Sequence, residues 1–201
     1  MLGSKKISTY LVNTAAKNDP KVASRKEIYI YCLDFLIEQL IFLVSLLFIG
    51  CFLHDIPFCL LFFAVFLTYR STGGGFHANS VWLCTLLSYT VFFFVWAVIQ
   101  SPFALWKGPL YPLHLLSYAV IVSLFSLLPV AGHKNKKISD SQRKMLKRKQ
   151  RICLLLFSLL AVIFYCTKSE NYYKLIVVCT LLLMITQWIG WITEKKKDGF
   201  L

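Results

Sequence analysis

Arg70-Ser71-Thr72-Gly73-Gly74-Gly75-Phe76-His77-Ala78-Asn79-Ser80-Val81-Trp82-Leu83-Cys84 is the stretch on which the reading turns. Three glycines and a histidine make a polar turn. An apolar run, Ile56–Tyr69, leads up to it, and a second apolar run that carries a cysteine near its start leaves it. A polar turn between two apolar runs places the thiol and the imidazole at the edge of a membrane span. Those two groups are what a cysteine protease needs.

The composition agrees with a polytopic membrane protein. The chain has 201 residues, 58% of them hydrophobic and 15% charged. A soluble domain carries roughly a quarter charged residues. The net charge is +13, but the basic residues flank the apolar blocks, so anionic lipid headgroups explain them before nucleic acid does. The first 34 residues hold no early apolar core of the kind a cleavable signal peptide needs. Six of the seven cysteines (Cys32, Cys51, Cys59, Cys153, Cys166 and Cys179) lack the spacing of a zinc site or a disulfide framework and read as packing residues.

The predicted fold is an all-α integral membrane protein with six transmembrane helices. The spans fall at about 33–53, 56–70, 81–99, 110–131, 152–167 and 172–193. The second is short for a ~30 Å hydrocarbon core, which needs ~20 helical residues. It is tilted, extended by Arg70 and beyond, seated in thinned bilayer, or re-entrant. Ahead of the spans, Ile7, Tyr10, Leu11 and Thr14 form one helical stripe, the pattern of an interfacial amphipathic helix within a cytoplasmic segment 5–31. Residues 133–151 read as a basic cytoplasmic loop. Six spans put both termini on one side. With that side cytoplasmic, 19 of the 22 Lys and Arg residues lie inside and only Lys107, Lys168 and Lys174 outside, as the positive-inside rule requires. The turn bearing His77 then sits at the cytoplasmic face.

Geometry constrains how His77 and Cys84 could cooperate. On one straight helix, seven residues separate them by roughly 10 Å along the axis, too far for a nucleophile–base hydrogen bond of ~3 Å. Gly73, Gly74 and Gly75 permit backbone angles closed to other residues and can fold His77 back toward the helix start. Asn79 or Ser80 suits the N-cap of the third span, which puts Cys84 in about the first helical turn. There the helix dipole and a protonated His77 both favour thiolate, while desolvation opposes it. Arg70 adds a cation at the same rim, to hold a substrate carboxylate or to stabilise the thiolate. The glycine turn's N–H groups can supply an oxyanion hole. Asp34 and Glu38, carboxylates near the start of the first span, are candidates to orient His77. The ordinary readings compete: a cysteine in a span packs, and a histidine after a glycine turn anchors at headgroup level. No metal is called for, because one His and one Cys give two ligands and no second cluster has zinc spacing. No cofactor is called for either, since the Gly-x4-Gly-Lys-[Ser/Thr] phosphate loop is absent from the sequence.

The run Arg70-x4-Gly75-x-His77-Ala78-x5-Cys84 between two apolar stretches resembles the AgrB family, membrane-embedded cysteine endopeptidases of accessory-gene-regulator quorum sensing. Chain length, six spans, the basic N-terminus and the basic mid-chain segment extend the resemblance over nearly the whole chain. It implies an enzyme of the bacterial cytoplasmic membrane that takes a short AgrD-like precursor peptide at the cytoplasmic face. The enzyme would remove the acidic C-terminal tail through a thioester on Cys84 and promote ring closure to a thiolactone or lactone. By the same resemblance Cys84 is the nucleophile and His77 the general base and acid. Arg70 and Gly75 match positions needed for activity.

Three rival readings stay open on the sequence, one of them a general intramembrane protease that would hydrolyse its thioester freely and release linear peptides. A peptide exporter predicts broken helices and inward polar residues near mid-bilayer, whereas the polar residues here concentrate at the rims. A non-catalytic membrane scaffold predicts full function without Cys84 or His77. The short spans leave lateral surface on which a homodimer could form.

Overall fold

The computed structural model describes residues 2–73, 81–101, 111–130 and 139–197, with side-chain surroundings for 4–72, 85–101, 113–130 and 139–193. Among these residues every regular element is helical. The eight helices are α1 (Leu2–Asn18), α2 (Pro20–Ser24), α3 (Lys26–Leu53), α4 (Ile56–Gly73), α5 (Val81–Gln100), α6 (Tyr111–Leu127), α7 (Asp140–Cys166) and α8 (Glu170–Lys197). Within them, Lys26–Leu53, Asp140–Cys166 and Glu170–Thr193 are long and apolar enough to cross a membrane. Ile56–Thr72, Thr85–Gln100 and Leu113–Leu127 are shorter apolar helices. Large apolar side chains stand exposed along them, among them Leu36, Leu40, Phe48 and Phe52 on α3, and Leu155, Leu156 and Leu159 on α7. Apolar surface on that scale suits lipid as the surrounding medium.

The chain divides into two compact units, Met1–Leu60 with Ser80–Thr85, and Leu61–Asn79 with Leu86–Leu201. In the first, α1 lies along α3. It buries Ser8 and Val12, while Ile7, Tyr10 and Leu11 of the expected stripe stay exposed. Asp19 ends α1 and caps α2, its carboxylate accepting from Lys21 N at 2.8 Å with Pro20 in the first turn. The link from α3 to α4 is two residues long. His54 adopts a left-handed conformation (φ 54°), and the N–H of Asp55 reaches back to Gly50 O at 3.0 Å. This is a Schellman-type closure. Asp55 then caps α4, its carboxylate accepting from Phe58 N at 3.1 Å. Gly50 suits the tight turn, because a Cβ there would stand close to it, 3.1 Å from Ile56 Cα and 3.2 Å from Cys59 Sγ.

The second unit is built around α8. Tyr173 through Thr180 are buried without a break, the mark of a helix enclosed on all sides. Aromatic contacts join its neighbours. Tyr69 of α4 meets Phe125 of α6 at 5.5 Å and Phe157 of α7 at 5.3 Å. Phe62 meets Phe92 of α5 edge-on at 5.1 Å. Tyr173 meets Tyr165 of α7 at 5.5 Å. The α7–α8 turn repeats the earlier device: Lys168 is left-handed (φ 58°), and Ser169 N reaches Phe164 O at 2.9 Å.

Two boundaries differ from the sequence expectation, and a third takes one of the courses that expectation left open. The basic segment read as a loop to residue 151 is helical from Asp140. A capping box starts it, with Ser139 Oγ accepting from Gln142 N and the Gln142 side chain accepting from Ser139 N. The short second apolar stretch is prolonged through Arg70 to Gly73 as one helix. The fourth ends at Leu127, ahead of Pro129, which disfavours a helical conformation in the residue before it.

Candidate active site

Arg70 is the best-defined of the expected site residues. It lies in the last turn of α4. Its Nη1 donates to Ser88 Oγ of α5 at 2.9 Å, and its guanidinium carbon stands 5.5 Å from the centroid of the Phe66 ring. That hydrogen bond and the aromatic face help to hold the cation in place. Helix α5 also carries Cys84, four residues before Ser88.

Beside Arg70 lies a cavity of about 300 Å³. Its polar lining comes from Arg70, Ser88, Thr186 and Gln187, and apolar residues such as Phe66, Leu87, Val91 and Leu183 supply the rest. An apolar pocket with a few converging polar groups is the usual form of a small-ligand or peptide side-chain site. Gln187 is fixed from behind. It is 1% exposed, its Nε2 donates to Pro129 O at 2.9 Å, and its Oε1 accepts from Gln150 Nε2 at 2.7 Å. Gln150 is fully buried. This amide chain ties α8 to α7 and to the segment after α6.

Gly73 is the last residue of α4 and Cys84 belongs to the first turns of α5. Gly74, Gly75, His77, Asn79 and Ser80 lie outside the described residues. Asp34 and Glu38 are in the first half of α3, and Asp34 Oδ1 is enclosed without a hydrogen-bond partner among the described residues. No three His, Cys, Asp or Glu side chains among the described residues gather as a metal site would require. Of the cysteines read as packing residues, Cys59 and Cys179 are buried, Cys153 is half-buried, and Cys32, Cys51 and Cys166 are on exposed faces.

Ser88, Gln150 and Gln187 were not singled out by the sequence. Ser88 had one signal, a hydroxyl one turn beyond Cys84 in an apolar helix. The two glutamines sit near the ends of apolar runs, where an amide usually reads as a boundary residue.

None of the curated proteins and none of the solved structures compared matches the chain. The sequence model of accessory gene regulator B (AgrB) matches residues 4–187. The chain therefore belongs to the AgrB family, with that family's general role in quorum-sensing-related processing at a membrane.

Proposed function

We propose that the chain is a membrane-embedded cysteine endopeptidase that cleaves the C-terminal tail from an AgrD-like precursor and promotes cyclisation of the remainder. The observation that carries this reading is the extent of the family match. It runs from residue 4 to residue 187 and encloses the whole Arg70–Cys84 motif. The fixed guanidinium of Arg70 and the cavity beside it, both adjoining the helix that bears Cys84, support it.

In this reading all six apolar helices span the bacterial cytoplasmic membrane, with both termini and the site at the cytoplasmic face. The exposed stripe of α1 rests in the headgroup layer, where an amphipathic precursor also lies. The Cys84 thiolate attacks the carbonyl before the tail. The carbon–nitrogen bond breaks, and His77 passes a proton to the leaving amine. The acyl group stays on Cys84 as a thioester. An internal thiol of the precursor, giving its proton to His77, then displaces Cys84 and closes a thiolactone. A hydroxyl nucleophile would close a lactone. The thioester conserves the acyl-transfer potential, so ring closure needs no cofactor. A lipid-facing position for the thioester keeps water from competing. Arg70 binds a carboxylate of the precursor and sets its register.

The test is tail release from an AgrD precursor by the full chain in liposomes, followed by mass spectrometry. Release by wild type, and none by Cys84→Ala or His77→Ala, is expected. Equal release by all three would remove the endopeptidase reading. Transport of intact precursor without cleavage would make the chain an exporter.

A further inference from the structure

We infer that the basic face of α7, together with the end of α6, is a discrete binding site for the phosphate of an anionic phospholipid headgroup. This site is separate from the cavity beside Arg70 and does not depend on the endopeptidase reading.

Arg143, Lys144, Lys147, Arg148 and Arg151 line a cavity of about 520 Å³ with Pro129 and Val130. The five cations occupy positions i, i+1, i+4, i+5 and i+8 of one helix and so form one face. Over ~12 Å of helix no carboxylate interrupts them. Like charges one turn apart repel each other, and an anion seated among them removes that repulsion.

The wall is built rather than loose. Arg143 Nη1 donates to Val130 O at 3.2 Å, and Lys147 Nζ donates to Leu128 O. These bonds join two of the cations to carbonyls just past the C-terminus of α6. Lys144, Arg148 and Arg151 remain exposed toward the cavity mouth.

Position selects a lipid over an acidic peptide. The basic face stops at Arg151, and α7 continues at once as an apolar helix with Ile152, Leu155, Leu156 and Leu159 exposed. A ligand with a phosphate at one end and acyl chains at the other matches that junction in order. The chains lie on the exposed leucines while the phosphate sits among the cations. An acidic peptide would meet the cations but leave the apolar face beneath them uncovered.

The experiment is native mass spectrometry of the full chain released from detergent, titrated with phosphatidylglycerol or with phosphatidylcholine. Wild type is expected to hold one phosphatidylglycerol in preference to phosphatidylcholine. Lys144→Gln/Arg148→Gln should weaken that binding roughly 20- to 30-fold, and Lys5→Gln/Lys6→Gln on α1 should leave it intact. Equal retention of the two lipids, or equal loss in both double variants, would overturn the site. So would displacement of the lipid by millimolar inorganic phosphate alone, which would mark a free-phosphate site. Binding of a glutamate decapeptide where no lipid is retained would make the face a peptide dock and overturn the lipid assignment. The wild-type lipid comparison decides the matter even if the double variant fails to fold.

Discussion

Arg70 Nη1 donates a 2.9 Å hydrogen bond to Ser88 Oγ, joining the last turn of α4 to α5. Ser88 is therefore a positioning residue for the Arg70 cation. A hydrogen bond to a charged group contributes ~1.5–3 kcal/mol, so Ser88→Ala should lower kcat/KM for tail release about tenfold or more. The loss should appear mainly in KM, because precursor register suffers rather than the chemistry. Ser88→Thr should retain most activity, since it keeps the acceptor. Arg70→Lys should not restore it, since a point charge lacks the planar fork. Steady-state kinetics on the four proteins checks this.

Gln150 and Gln187 are a buried amide pair joined by one hydrogen bond, Gln150 Nε2 to Gln187 Oε1. Gln187→Leu leaves Gln150 Nε2 and Pro129 O without the partner each now has. The expected cost is ~2 kcal/mol or more, because each orphaned group carries the desolvation penalty of an unmet partner. Gln150→Leu/Gln187→Leu should regain part of that loss, because the orphaned amide is gone. Thermal unfolding in one detergent would read this as a double variant more stable than Gln187→Leu.

Gly50 permits the close approach of α3 to the start of α4. Gly50→Ala puts a Cβ against Ile56 Cα, a backbone atom that cannot swing away. A destabilisation of ~1–3 kcal/mol is expected. Adding Cys59→Ala should not rescue it, because the backbone contact remains. A rescue would show that Cys59 Sγ alone was the obstacle.

His54 and Lys168 hold left-handed backbones at the two tight helix–helix turns. For a residue with a Cβ that conformation costs ~1–2 kcal/mol. His54→Gly and Lys168→Gly should each be neutral or up to ~1 kcal/mol stabilising, after glycine's greater entropy loss. The β-branched His54→Val should destabilise. Unfolding midpoints of the three variants decide it.

Much of this architecture was legible in the sequence because apolar runs announce helices whatever their partners. α3, α4, α5, α6 and α8 begin or end close to the apolar runs that predicted them. The helical start of α7 was not, because a dense run of lysine and arginine reads as loop. Only the Ser139–Gln142 capping box marked it. The turns at His54 and Lys168 contain no glycine, the usual sign of a left-handed cap. Arg70 was singled out from the motif, and it lines the cavity between α4, α5 and α8. Ser88 and Gln187 were not, since their roles arise from neighbours 18 and 37 residues away, a separation that periodicity cannot express.

Intact mass spectrometry of the full chain in detergent, after incubation with an AgrD precursor, tests the central claim most directly. Wild type should gain the mass of the tail-less precursor, hydroxylamine should remove it, and Cys84→Ala should never acquire it. A precursor that binds wild type without leaving any adduct or releasing its tail would contradict the account.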